Sequence, residues 1–197
     1  KLKRMKRFTN VKSGGVILTL LLLALVSGSV WGQETYQRVT SVSELEAEKS
    51  FLIVNVDDQG RCIALSNEQK KNNRGAVAVI LANDKITLEQ NSMACQLVLK
   101  GSSSVGWSFY DEVNGGYLYA ASSSGNYLKT QSTLDDDGRA DIRFEANIAT
   151  ITFKGTNKRN VMQYNPNNGS PLFACYGSES QKPLQLFKKV ESIGNQV

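Results

Sequence analysis

Turn signals recur about every ten residues along this chain, and that spacing is its strongest constraint. They are "DDQG" from Asp57, "NNRG" from Asn72, "ND" at Asn83, "NGG" from Asn114, "SSGN" from Ser123, "DDDG" from Asp135 and "NPNNG" from Asn165. Short runs rich in Val, Ile, Tyr, Phe and Thr lie between them. Gly, Asn and Asp tolerate the backbone conformations that tight turns need, while β-branched and aromatic side chains suit a pleated surface. Many short strands at this spacing define an all-β sandwich or barrel. Helix is nearly absent: Ser41 and Glu44 have the spacing of a capping box, enough for one or two turns.

The clearest strand is Ala140 to Glu145, "ADIRFE", where apolar and charged residues alternate. Its period of two turns Ala140, Ile142 and Phe144 to the core and Asp141, Arg143 and Glu145 to water. Ala146 and Asn147 lead from it into a second strand, Ile148 to Lys154. A further hairpin is expected to join "AVAVIL" to "KITLE" across Asn83 and Asp84. Three blocks open alike, near "SFLIVNVDDQGRCIAL", "WSFYDEVNGGYLYAA" and "ATITFKGTNKRNVMQY": a strand, a turn through Gly or Asn, then a second apolar strand. Three such units favour a closed, β-trefoil-like barrel over a two-sheet sandwich, because closure removes exposed sheet edges.

Residues 1–32 read as a secretory signal peptide. Six basic residues precede the apolar run "VILTLLLLALV", too short to span a bilayer, and "VWG" supplies the cleavage site after Gly32. Met5 is the expected initiator. Residues 33–190 form one β-rich domain, with 191–197 a tail or truncated linker. Without the leader, 17 basic and 18 acidic residues remain, a net charge of −1. A nucleic-acid partner is therefore not expected, since such binders carry a basic footprint. Localisation is expected to be secreted, periplasmic or at the cell surface, with membrane contact only through the leader.

The chain contains no histidine. That excludes Ser-His-Asp and Cys-His nucleophile activation and His-ligated zinc. Neither Ser-x-x-Lys nor a glycine-rich phosphate loop occurs. Cys62, Cys95 and Cys175 each sit in a strand-like apolar run, which fits small buried hydrophobes; one disulfide among them is the alternative. Asp57-Asp58, Asp111-Glu112 and Asp135-Asp136-Asp137 fall in turns, where Asp is favoured for backbone reasons, and read as solvated. No catalytic residue, metal or cofactor is expected. A carboxylate glycosidase is the minor enzymatic alternative.

Aromatic residues are the better candidates for a site. Tyr110, Tyr117, Tyr119, Tyr127, Tyr164 and Tyr176 lie in the second and third blocks and are the expected ligand-binding residues. Tyrosine offers rigid apolar area with a polar tip, suited to a sugar face or a protein surface. Trp107 and Phe109 share a strand face and are expected in the core. Tyr117 and Tyr119 share a face with Leu118 opposite.

The stretches "YQRVTSVSELEAEKSFLIVN", "GGYLYAASSSGNYLKT", "ATITFKGTNKRNVMQYN" and "PLFACYGSESQKPLQLFKKV" together resemble an uncharacterised secreted module of Bacteroides-type bacteria. Members of that family sit beside endonuclease or surface-adhesion domains. The resemblance covers about Tyr36 to Val190 and implies a β-rich accessory unit with no known catalytic residues. The family's first strand often follows a Gly-Lys turn, where this chain has Glu48-Lys49. Gln185-x-Phe187 also resembles, in a single copy and without the Trp, the Gln-x-Trp element of ricin-type sugar-binding trefoils. The expected function is non-catalytic binding of a glycan or protein surface, with a structural spacer or folding partner of a lost catalytic domain as the alternative.

Overall fold

The computed structural model describes residues 33–167 and 169–191. The signal peptide expected over 1–32 lies outside them, as does the tail beyond Glu191. The described chain is all-β. Its strands are β1 (Glu34–Val39), β2 (Ser50–Val56), β3 (Cys62–Gln69), β4 (Arg74–Val79), β5 (Leu81–Ala82), β6 (Lys85–Leu88), β7 (Leu97–Ser102) and β8 (Gly106–Asp111). They continue as β9 (Gly116–Ala120), β10 (Leu128–Gln131), β11 (Ala140–Glu145), β12 (Ile148–Phe153), β13 (Val161–Asn165), β14 (Leu172–Tyr176) and β15 (Gln185–Val190). A single 3-10 turn, Val42–Glu44, stands at the expected capping box, with the Glu44 carboxylate accepting from Thr40 N–H and the Ser41 hydroxyl at 3.0 Å each.

The three blocks seen in the sequence are structural units, opening at β2, β8 and β12. In the first two, the first strand pairs with the block's own last strand, Phe51 opposite Leu97 and Trp107 opposite Ala140; in the third, Ala149 is bridged to Leu184, the residue before β15. Each block's middle is a hairpin: β3 with β4, β9 with β10, β13 with β14. Successive blocks join through β7–β8, β11–β12 and finally β15–β2. The antiparallel pairing thus runs β15–β2–β7–β8–β11–β12, with the isolated Ala149–Leu184 bridge between its two ends.

β1 and β6 form an added layer. β1 pairs with β15 on one side and β6 on the other. This layer explains why β2 is buried on both faces and reads as the unbroken apolar run "FLIV". Phe51 and Ile53 enter the main core with Leu97, Phe109, Ile151 and Phe173. Leu52 and Val54 face a second core with Tyr36, Ile86 and Phe187. Full burial of each such side chain stabilises by about 1.5–3 kcal/mol. The hydroxyl of Tyr36 is satisfied inside, donating to Gln96 Oε1 at 2.8 Å.

One expected hairpin is smaller than the sequence reading. Asn83 and Asp84 take positive φ (51° and 59°), as a two-residue turn requires, but they join only β5 to β6. β4 pairs instead with β3 and β14, because its block hairpin competes for the same edges. Glu48 occupies the left-handed region at φ 63°, a conformation that glycine adopts without strain.

Candidate functional site

Four of the six expected tyrosines gather on one outward surface. On β8, Trp107, Phe109 and Asp111 point inward, so Tyr110 points out. Tyr110 stands opposite Tyr117 of β9, ring to ring at 5.0 Å in an edge-on arrangement. Tyr119 follows two residues on, with Leu118 buried on the opposite face as the alternation predicts. On β10, Gln131 lies opposite Tyr117 and Lys129 opposite Tyr119. The close approach of β10 needs Gly116, where a Cβ would strike the Gln131 carbonyl. Lys100 Nζ lies 5.3 Å from the Tyr110 ring centre, and Lys129 Nζ lies 5.5 Å from that of Tyr127. All four tyrosines are half-buried. A cation lies over the rings of Tyr110 and Tyr127, and Tyr110 also packs edge-on against Tyr117.

Tyr164 and Tyr176 do not join this surface. Each is only 6% exposed. Tyr176 packs with Leu172 and Ala174, and its hydroxyl accepts from Asn165 Nδ2 at 2.9 Å. Tyr164 packs on Phe173 at 5.2 Å, with its hydroxyl end at a separate cleft. Burial raises the affinity of that phenol for its proton, with the Arg61 and Asp57 charges acting on it in opposite senses.

The cleft has a volume of about 380 Å³ and lies between the β2–β3 turn and the prolines 166 and 171 that flank the β13–β14 loop. The turn is locally built. The Asp57 carboxylate accepts the backbone N–H groups of Gln59 (3.0 Å) and Arg61 (2.9 Å), and Arg61 Nε at 2.6 Å. Asp58 and Gln59 project from the turn, and Lys182 stands on the facing wall, its backbone paired with that of Tyr164. The "DDDG" segment is also a turn: Asp135 accepts from Gln131 Nε2 at 2.7 Å, and Asp136 pairs with Arg139 at 3.2 Å.

Asp111 departs from the reading of a solvated turn. It is fully buried, 2.6 Å from the equally buried Arg74. Its carboxylate also accepts the N–H groups of Val113 and Asn114 at 3.0 Å and Asn114 Nδ2 at 2.8 Å. Arg74 donates further to Thr130 Oγ1 and the Ser66 carbonyl, each at 3.0 Å. Burial opposes the charge on Asp111, but Arg74 and the Asn114 donors outweigh it and hold the carboxyl below its usual range. Nothing local marks this pair, because the partners belong to different blocks and both sit beside turn motifs.

The cysteines are free and buried. Burial pushes the thiols of Cys62 and Cys95 up to about 12, and that of Cys175 higher still. Such thiols are not nucleophiles at neutral pH.

No protein-family model matches the chain, and no curated protein matches it. Among solved structures it is similar to a crystal structure of the lysenin pore, with a TM-score of 0.47 and 12% identity over 78% of this chain and 50% of that one. It is also similar to a complex of lysenin with phosphocholine, with a TM-score of 0.48 and 12% identity over 79% of this chain and 48% of that one. The chain spans about half the length of these structures.

Proposed function

We propose that this chain is a secreted, non-catalytic accessory module, built as a closed barrel of β-trefoil type, that binds a glycan or a protein surface. The observation that carries the binding reading is the shared outward face of Tyr110, Tyr117 and Tyr119, lined by Lys129 and Gln131. Rigid rings with polar tips, flanked by donors, give contact area at low entropic cost. The run of strand pairing through three similar blocks, its ends linked by the Ala149–Leu184 bridge, supports the trefoil over the sandwich, since two stacked sheets need no such link. A basic, then apolar, then small N-terminal pattern supports secretion. The lack of histidine and the inert thiols support a role without catalysis. The likeness of the quoted stretches to Bacteroides-type modules fits an accessory role outside the cytoplasm.

The test is a glycan array with a parallel pull-down from cell-surface extracts, using residues 33–191 and a Tyr110→Ala/Tyr117→Ala/Tyr119→Ala variant. The wild-type module is expected to retain a ligand, and the variant to bind it at least about tenfold more weakly with unchanged circular dichroism. Equal binding by a folded variant removes the tyrosine face from the function. Failure to find any ligand for the wild type counts against the binding reading as a whole.

A further inference from the structure

The three blocks repeat a junction. In each, the turn after the first strand meets the middle hairpin of the preceding block. At two of the three junctions the gap is stitched by side chains. Between the first and second blocks, Asp111 takes the Arg74 ion pair and Asn114 Nδ2 donates to the Asn67 carbonyl at 3.1 Å. Between the second and third, Asn157 Nδ2 donates to the Ala120 carbonyl at 2.7 Å and its Oδ1 accepts from Ser123. Arg159 completes that seam by donating to Asn126 Oδ1 at 2.6 Å. Between the third and first, the turn holding Asp57 folds back on itself. Among the described residues, no hydrogen bond or ion pair joins it to β13, β14 or their flanking prolines. The polar groups that elsewhere bridge the junction here face the cleft of about 380 Å³.

We propose that this open junction is a binding subsite for a single neutral sugar residue. The inference deepens the reading of the chain as a binding module and rests on it, but it uses a different surface from the tyrosine face. Volume admits a ligand of that size, within the usual range of small-molecule sites. Charge selects its class. Two carboxylates, Asp57 and Asp58, face two cations, Arg61 and Lys182, so the site has no net charge to attract an anion or a cation. What it offers is both acceptors and donors at short range, which matches a ring of hydroxyls that each give and take a hydrogen bond. Pro166 and Pro171 supply apolar walls for the C–H face of such a ring. The base is preformed: Asp57 is fixed by three donors and Tyr164 by Phe173, so little ordering is left for binding to offset. Charged sugars, nucleotides and phosphate fit less well, because each leaves one pair of the four charges facing its like.

The test is a backbone-amide NMR titration of residues 33–191 with glucose, galactose, mannose and N-acetylglucosamine, and with inorganic phosphate for comparison. At least one neutral sugar is expected to shift the amides of Gln59, Arg61 and Lys182 saturably, while phosphate does not. The variant Asp58→Ala/Lys182→Ala alters two exposed side chains and is expected to keep the fold while weakening that sugar at least about tenfold. The same titration on the Tyr110→Ala/Tyr117→Ala/Tyr119→Ala variant is expected to leave the cleft shifts intact. If no sugar moves the cleft amides while the module still holds a glycan or protein on its tyrosines, the subsite is overturned and the function stands. Stronger shifts with phosphate than with any sugar also overturn it.

Discussion

Asp57 and Asp111 stand at corresponding places in two blocks of one chain, each where a block's first strand passes into its turn, and their surroundings differ in almost every respect. Asp111 is sealed from water and paired with an arginine of the neighbouring hairpin. Asp57 is solvated and paired with Arg61, four residues along its own turn. Both carboxylates cap backbone N–H groups, which is why aspartate suits both turns. The difference is the partner. A cross-block arginine turns the cap into a seam, whereas an in-turn arginine leaves the junction open. The same local chemistry thus serves cohesion in one block and leaves a cleft in another.

The comparison breaks most readily at Arg74. Removing it leaves a carboxylate buried without its counter-charge, so Arg74→Ala is expected to cost about 3–5 kcal/mol in urea unfolding. The double variant Arg74→Met/Asp111→Leu is expected to recover much of that loss, since an apolar pair of similar volume removes both desolvation costs. Recovery no better than the single variant would show that the hydrogen bonds to Thr130 and Ser66, not the ion pair, hold the seam.

Acid sharpens the contrast next. The folded state holds Asp111 below its usual pKa, so it binds a proton less readily than the unfolded chain. Its contribution is therefore fully present above the unfolded value of about 3.9 and is lost as pH falls through the lower folded value. Urea midpoints of wild type and Asp111→Asn are expected to differ most at neutral pH and to converge as the pH drops below about 4. Parallel curves across that window would remove the carboxylate charge from the explanation. At the second seam, Asn157→Ala deletes two hydrogen bonds at a half-buried site and is expected to cost about 1–2 kcal/mol.

These contrasts also mark where the sequence could be read. The strand pattern, the block starts at β2, β8 and β12, and the inward pair Trp107 and Phe109 all follow from periodicity, because each depends on neighbours a few residues away. The shared face of Tyr117 and Tyr119, with Leu118 opposite, was legible for the same reason, whereas the pairing of Tyr110 with Tyr117 depends on the tertiary fold. The Arg74–Asp111 pair was not, since "NNRG" and "DEVNGG" both look like ordinary turns and only the tertiary fold brings them together. Nor was the outer layer of β1 and β6: "ETYQRV" carries too few apolar residues to announce that Tyr36 is fully buried. Tyr164 and Tyr176 illustrate the limit from the other side. Their alternation along "VMQY" and "LFACY" fits either face; burial of β14 from both sides turned Tyr176 inward, while Tyr164 of β13 packs on Phe173 beside the cleft.

The smallest expected effect is at Asp57, and it tests the comparison from its solvated side. Asp57→Asn keeps an oxygen to cap the Gln59 and Arg61 N–H groups but gives up the charge facing Arg61. An exposed pair of this kind is screened by water, so the thermal midpoint is expected to stay within about 2 °C of wild type. Asp57→Ala also removes the cap and is expected to lower the midpoint further, because two backbone donors of the turn lose their acceptor. If Asp57→Asn were as damaging as Asp111→Asn, the first turn would be part of a charged seam after all, and the cleft beside it would no longer count as open.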